Sequence, residues 1–375
     1  DGFGNIAGVM QGFMDNAINA SSQLGLVYGQ PLTDEQLSAL DEPIVWMVEV
    51  EIDGQLVLAP KVYLPKALED EIKQDGAVIS AKNLDMNVAS LDNLGGTIAA
   101  SEDLNIKSQG DINNISGQIQ GNNVAIESTE GNINNETFNQ YGGNELVGQT
   151  TLGKTSGISA TNNLSLNAAG DITNIGAEMN AGNNADLNAG GNITFDTIEN
   201  TTRTFEVSGS ASGLNSTMTK SSTESVKQVK SGLNVGGNLS TKSGGDTTFA
   251  GTDVNVGGNA NIESDGAINI IAREDRTTTK TETQDNSVGK GGDLATMSTT
   301  TTDSLSIRNV GSTFNVGGDA KFDAQSDMTI QGSELNVGGN ASIDAQSLNV
   351  LAGRDLDQTS TKTETTSVGA KAESM

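Results

Sequence analysis

The chain has no cysteine and no histidine among its 375 residues. Without histidine there is no Ser-His-Asp or Cys-His catalysis and none of the usual zinc sites. Without cysteine there are no disulfides, which spares a chain that crosses an oxidising compartment from stray pairing. Aromatic residues make up only 3%, too few bulky side chains for the two or three globular domains that the length would otherwise suggest. Basic residues are scarce too: 20 Lys and Arg stand against 48 Asp and Glu, a net charge of −28. With no basic run, nucleic acid is a poor partner, and anionic membrane surfaces are disfavoured for the same reason. No stretch of 18 apolar residues exists, so no transmembrane helix is expected. There is no initiator methionine and no signal peptide, and the chain is expected to be a piece of something longer.

What the chain has is glycine, 46 residues of it, and a period. Val-Gly-Gly-Asn/Asp occurs four times, as Val235-Gly236-Gly237-Asn238, Val256-Gly257-Gly258-Asn259, Val316-Gly317-Gly318-Asp319 and Val337-Gly338-Gly339-Asn340. Successive copies lie 21 residues apart within a pair (256 − 235, 337 − 316) and 81 apart between pairs (316 − 235). A fixed period near 20 with strand and turn content predicts a solenoid. Low hydrophobicity with high net charge is also the signature of disorder, but the regular alternation of Val, Ile and Leu argues against it. Degenerate copies extend the series. Rungs open near residues 78, 98, 119, 158, 179, 233, 254, 314 and 335, each with two or three short strands. Second corners recur as Gly110-Asp111, Gly131-Asn132, Gly170-Asp171 and Gly191-Asn192.

Gly and Asn tolerate the left-handed backbone that a sharp corner uses, and stacked Asn side chains can form ladders along the axis. The tetrads are therefore read as structural turns, and so are Asp103, Asp111, Asp171 and Asp319. No calcium-binding nonapeptide and no Gly-Lys-Ser/Thr phosphate loop is present. No catalytic residue, cofactor site or metal site is assigned.

After every second rung the period breaks, at about residues 137–157, 196–232 and 273–313. Rung pairs begin at 98, 158, 233 and 314, giving units of 60, 75 and 81 residues. The longer inserts are rich in Thr and Ser, with glycines between two arms, and read as β-hairpins. Two rungs rise about 9.6 Å, the width of two hairpin arms. Successive hairpins are therefore expected to merge into one flanking sheet, with charges such as Lys280, Glu282 and Asp303 blunting its edges. Residues 354–375 repeat the first arm of an insert and read as a truncated hairpin with a poorly ordered tail.

Two segments precede the solenoid, which spans residues 76–353. Residues 1–30 place apolar side chains on a helical face, with Gly4, Gly8 and Gly12 four apart and Phe13 beside them. The segment is too polar to span a bilayer; it reads as partly helical or loosely ordered, and these four residues are candidates for membrane or partner contact. Residues 31–75 form a lead-in. Thr33-Asp34-Glu35-Gln36 fits a capping box for a short helix through Leu40. Ile44–Ile52 and Gln55–Leu64 read as two strands joined by a type I′ turn at Asp53-Gly54. Trp46, Asp53, Gly54 and Tyr63 are assigned to this cap, with Trp46 anchoring it against the solenoid end.

The residues Pro31-Leu32-Thr33, Ile44-Val45-Trp46-Met47-Val48-Glu49 and Val57-Leu58-Ala59-Pro60-Lys61-Val62-Tyr63-Leu64 resemble the start of the distal repeat region of filamentous haemagglutinin-like exoproteins. The Thr-rich units and Val-Gly-Gly-Asn rungs resemble their haemagglutinin repeats. The likeness covers nearly all of residues 31–375 and is specific for the family, which includes CdiA-type effectors of contact-dependent growth inhibition and FhaB-type adhesins. It implies a right-handed β-helical filament on a Gram-negative surface, exported by a two-partner system through a CdiB-like outer-membrane transporter. In growth-inhibition members it implies action at the target cell's outer membrane, or a receptor there, during toxin delivery.

The expected fold is thus all-β: a right-handed parallel β-helix of about 20–21 residues per rung, with hairpins forming a flanking sheet and a small helix and hairpin lead-in. The expected role is a non-enzymatic structural and delivery segment. A stalk or binding surface of an adhesin is the alternative. A polysaccharide lyase or hydrolase is more remote, because such enzymes need positioned carboxylates or bases in a groove.

Overall fold

A computed structural model describes residues 16–40, 44–52, 55–63, 76–289 and 293–369. Strands of four to six residues recur three to a rung. The first rung is Val78–Ala81, Leu84–Val88 and Leu91–Leu94, and the last is Glu334–Val337, Ala341–Asp344 and Leu348–Leu351. Nine rungs stack into three nine-stranded parallel sheets, the faces of a right-handed β-helix. Each strand obeys the period of two. In Asp103–Ser108, the residues Leu104, Ile106 and Ser108 point inward while Asp103, Asn105 and Lys107 face solvent.

Register is continuous along the axis. Ile98, Ile119, Ile158, Met179, Leu233, Val254 and Phe314 form one buried column. Ile79, in the strand that begins at Val78, pairs with Ile98 at the head of this column. Each rung adds a few such side chains, each worth about 1.5–3 kcal/mol when buried. The core is long and thin, which is how it does without many aromatics.

One interior column is polar over its first half. Asn93 Nδ2 donates to Asn114 Oδ1 at 2.7 Å, Asn114 to Asn135 at 2.8 Å and Asn135 to Asn174 at 2.6 Å, all four buried. Asn174 ends the ladder on the Ala177 carbonyl at 2.7 Å. The same column then continues as Phe195 and Phe249, stacked at 5.4 Å between centroids. Phe314 and Phe322 extend the aromatic contact from neighbouring columns. A buried amide needs its partners and a buried ring needs volume, and the column changes from one solution to the other between Asn174 and Phe195.

Where one rung follows another directly, the chain turns on a left-handed residue. Gly95, Ser116, Gly176, Gly251 and Gly332 have φ of 70°, 49°, 53°, 52° and 54° and share the corner between a third strand and the next rung. After Glu136, Asp196, Ile271 and Leu351 the chain instead leaves the helix at that corner. It returns as the hairpins Asn139–Gly143/Gly148–Leu152, Ile198–Ser212/Asn215–Val229 and Arg273–Val288/Asp293–Val310. With Leu356–Gly369 they form one seven-stranded antiparallel sheet in chain order. Leu356–Gly369 is a strand because Asp293–Val310 supplies a partner along its whole length, and the tail expected to be poorly ordered lies outside the described residues.

The lead-in has its own small core of Ala17, Leu32, Leu40, Ile44 and Val48. Residues 16–24 are helical, and Thr33 caps the helix Asp34–Ser38 in a complete capping box, two residues shorter than expected. Ile44–Ile52 and Gln55–Tyr63 pair antiparallel.

One interior side chain is poorly suited to its place. Thr241 is buried between Leu187 and Ile262, and its hydroxyl has no hydrogen-bond partner. An unsatisfied buried hydroxyl costs about 1–3 kcal/mol. Thr241→Val, which keeps the branched shape, is expected to raise the thermal unfolding midpoint; an unchanged or lower midpoint by circular dichroism would contradict this account.

Candidate functional site: stacked corners and the flanking sheet

The tetrads sit at the bend between the first and second strands of their rungs. None of their glycines has a positive φ among the described residues. The expected left-handed backbone is therefore absent at these corners, and glycine is required for a different reason. A Cβ on Gly236, Gly257, Gly317 or Gly338 would lie 2.2–2.5 Å from the carbonyl oxygen of the glycine one rung earlier. On Gly237, Gly258, Gly318 or Gly339 it would meet a side-chain oxygen of the preceding corner at 2.2–2.6 Å. Real Cβ atoms do not approach so closely, and glycine alone lets consecutive rungs stack here.

The fourth residue supplies that oxygen. Asn184 Oδ1 accepts the backbone N–H of Asn238 at 2.9 Å, Asn238 that of Asn259 at 2.8 Å, Asn259 that of Asp319 at 2.8 Å and Asp319 that of Asn340 at 2.7 Å. Asn and Asp are interchangeable because only the acceptor is used. A second ladder of the same kind joins Asp111, Asn132, Asp171, Asn192 and Asp246. A third climbs the outer face through Asn180, Asn234, Asn255, Asn315 and Asn336, amide to amide at 3.0 Å. It borders a trough of about 1040 Å³ whose lining holds no titratable residue.

The flanking sheet has two unlike faces. One carries rows of hydroxyls. Thr219, Ser221 and Thr223 meet Thr283, Thr281 and Thr279 at 3.1–3.3 Å, and Thr300 and Thr302 meet Thr363 and Thr361 at 3.1 and 3.3 Å. The other carries ion pairs such as Arg203–Glu224 and Lys220–Glu282. No residue of the inner strand Asn215–Val229 is fully buried, and on the neighbouring long arms burial is confined to a few side chains such as Phe205 and Ile307. The sheet is held by its backbone ladder and cross-strand pairs rather than by a core. Lys280, Glu282 and Asp303, expected to guard edges, lie on interior strands, where Lys280 stands opposite Asp303.

Latches at the roots join one hairpin to the next. Arg273 holds Asp196 with two hydrogen bonds, and Arg354 holds Glu274 at 3.1 and 2.9 Å. Asp275 and Asp355 each accept a backbone N–H from the preceding arm, those of Gln228 and Asn309, at 2.7 Å. Sequence reading missed these latches and the buried Asn ladder. The signal for the ladder was present in the third position of Leu91-Asp92-Asn93-Leu94, Ile112-Asn113-Asn114-Ile115 and Ile172-Thr173-Asn174-Ile175.

Trp46 lies within the lead-in core, its indole donating to the Val27 carbonyl at 3.1 Å and edge-on to Tyr28. Its partners are there rather than at the solenoid end. The backbone of Tyr63 pairs with Ile44. Asp53, Gly54, Gly4, Gly8, Gly12 and Phe13 lie outside the described residues. Among the described residues no cluster of Asp and Glu could hold a metal ion, and no helix is long and apolar enough to cross a membrane.

Comparison with known proteins gives a consistent picture. The hemagglutinin repeat family model matches residues 140–221, 212–301 and 294–374. The chain is 37% identical over 206 residues to a 16S rRNA endonuclease CdiA of Enterobacter cloacae, covering 48% of this chain and 6% of that protein. It is 35% identical over 213 residues to a tRNA nuclease CdiA of Escherichia coli, covering 48% and 6%. It is 34% identical over 279 residues to a deoxyribonuclease CdiA of Dickeya dadantii, covering 66% and 8%. The chain thus spans less than a tenth of the length of these relatives. No solved structure matches.

Two outcomes test the corner chemistry. Asn259→Ala removes the acceptor for Asp319 and should cost about 1 kcal/mol, whereas Asn259→Asp should cost little. Gly257→Ala should cost more, about 1–3 kcal/mol, because backbone must move. Equal midpoints for the three variants in thermal unfolding would refute the stacking argument.

A third outcome concerns pH. Burial, and secondly the charge of Asp253, raise the Glu178 carboxyl above its ordinary value of 4.5. The folded chain then holds this proton more tightly than the unfolded chain, so stability falls as pH rises through that interval and stays lowered at neutrality. Glu178→Gln should raise the unfolding midpoint at pH 7 and lose that advantage below pH 4.

Proposed function

From the premise that the chain belongs to the hemagglutinin repeat family, we propose that it is a structural and delivery segment of a much longer secreted exoprotein of the contact-dependent growth inhibition type. The observation that carries this reading is the repeating unit itself. Two rungs and one hairpin recur in register, and each hairpin docks on the one before. Such a unit builds length and a broad ribbon; it does not converge titratable groups on a point. The nuclease activities in the names of the relatives belong, on this reading, to other parts of those proteins. This segment performs no chemistry.

The rest follows from the kinship. The full protein would leave the cell through a CdiB-like outer-membrane transporter and stand on the surface of a Gram-negative bacterium. A solenoid suits that route, because rungs can fold one on another as the chain emerges, without ATP. The segment's counterpart would be the target cell's outer membrane or a receptor in it. Gly4, Gly8, Gly12 and Phe13 remain the proposed contact residues of the N-terminal stretch, and the Val-Gly-Gly-Asn/Asp corners are proposed as framework only.

The test is an in-frame deletion of residues 76–353 from the full-length protein. Export to the surface of the producing cell should persist, and the toxin expressed inside a target should still inhibit it, while inhibition of neighbouring cells in co-culture is lost. Undiminished inhibition of neighbours would reject a delivery role.

A further inference from the structure

The flanking sheet is stepped. The first hairpin is short and pairs with the next arm only at Gly148↔Arg203 and Gln149↔Thr202. Beyond that step, Thr204–Ser212 pairs with Thr223–Asn215 on one side and with no described strand on the other. The uncovered run is roughly 30 Å long. Exposed edges are normally blunted by lysine, proline or a bulge. This one has none of them, and its single charge is Glu206.

The free backbone groups can be assigned. Gly213 and Leu214 form a two-residue turn, Gly213 at φ 62°, closed by the pair Ser212↔Asn215. In such a hairpin the closing pair and every second pair above it exchange hydrogen bonds. The even-numbered residues therefore bond inward to the partner arm. The odd-numbered Phe205, Val207, Gly209 and Ala211 turn their N–H and C=O groups outward. Thr201, also odd, follows this rule by donating outward to Thr150 Oγ1 at 2.9 Å.

We propose that this edge joins the same edge of a second copy of the chain, antiparallel about a two-fold axis at Ser208, so that two flanking sheets become one. The segment is complementary to itself in that register. Val207 comes opposite Gly209 of the second copy, large against small, and Ala211 comes opposite Phe205, whose side chain is already buried in its own copy. Glu206 comes opposite Ser210, so no like charges meet. The outward groups of the odd residues face one another and make about eight main-chain hydrogen bonds. Each free run ends where the other's turn begins, and the two β-helices lie at opposite ends of the joined strands. Both partners grow their sheets away from the junction, which leaves the remaining hairpins clear.

The absence of cysteine makes the register testable in the 375-residue chain. Ser208 faces its own copy across a non-hydrogen-bonded pair, where Cα atoms lie about 4.5 Å apart, within disulfide reach. Ser208→Cys is expected to give a disulfide-linked dimer under mild oxidation. Glu206→Cys, displaced from its copy by four residues of register, is expected to give none. Val207→Pro removes an outward N–H and no inward one. It should halve the mass seen by sedimentation, with its circular dichroism spectrum unchanged. A chain that is monomeric at its highest soluble concentration overturns the proposal. So does equal cross-linking at positions 206 and 208, or a dimer that survives Val207→Pro.

Discussion

The distance between stacked strands, about 4.8 Å, governs this molecule. Every rung must repeat its predecessor within that spacing, so any atom that projects along the axis collides with the rung before it. At the Val-Gly-Gly-Asn/Asp corners the backbone itself fills the gap, and only glycine fits. Where a side chain does point along the axis it must be one that accepts what lies above it. Asn and Asp do so at the corners, Asn again in the interior ladder, and Ser or Thr in the flanking sheet. The same spacing makes two rungs as tall as two hairpin arms. That equality lets inserts separated by a full repeat meet edge to edge and lets the sheet grow with the helix.

Much of this was legible because a period is a long-range signal carried by short-range residues. The 21-residue spacing of Leu233 and Val254 located a rung, and the Thr-rich arms around residues 196–232 and 273–313 located hairpins. The cause of a conserved-looking pattern was harder to read than its place. Gly257 looks like a left-handed corner residue and is instead a clearance residue. The true left-handed corner is glycine at Gly95, Gly176, Gly251 and Gly332 and serine at Ser116, and no fixed neighbours surround it to make a motif. Lys280 and Asp303 looked like edge guards because their strands are polar on both faces, and only pairing shows that they are interior. Trp46 could be recognised as an anchor, but what it anchors depends on residues 16–40 folding back over the hairpin.

The even spread of polar groups over the faces follows from the same geometry. Outward side chains form ladders of like neighbours along each face, and such ladders spread charge and hydrogen bonds evenly. A catalytic constellation needs the opposite, unlike groups brought to one point. The acidic residues show this well: Asp111, Asp171, Asp246 and Asp319 each bond to the backbone of the following rung.

The direction of the hydrogen bonds carries a mechanical meaning. In both the β-helix and the flanking sheet the strands lie across the long axis, so their hydrogen bonds lie along it. A pull on the two ends therefore loads these bonds in tension, and failure is confined to one interface at a time. A cut between rungs severs three short strand pairs of four to six residues, but a cut through the long hairpins severs ladders of up to 16 further pairs. The appended sheet thus acts as a reinforcing flange. It makes the stretch from the second hairpin onward the tougher part of the rod, and the rungs beside the short first hairpin the place where it would part under load.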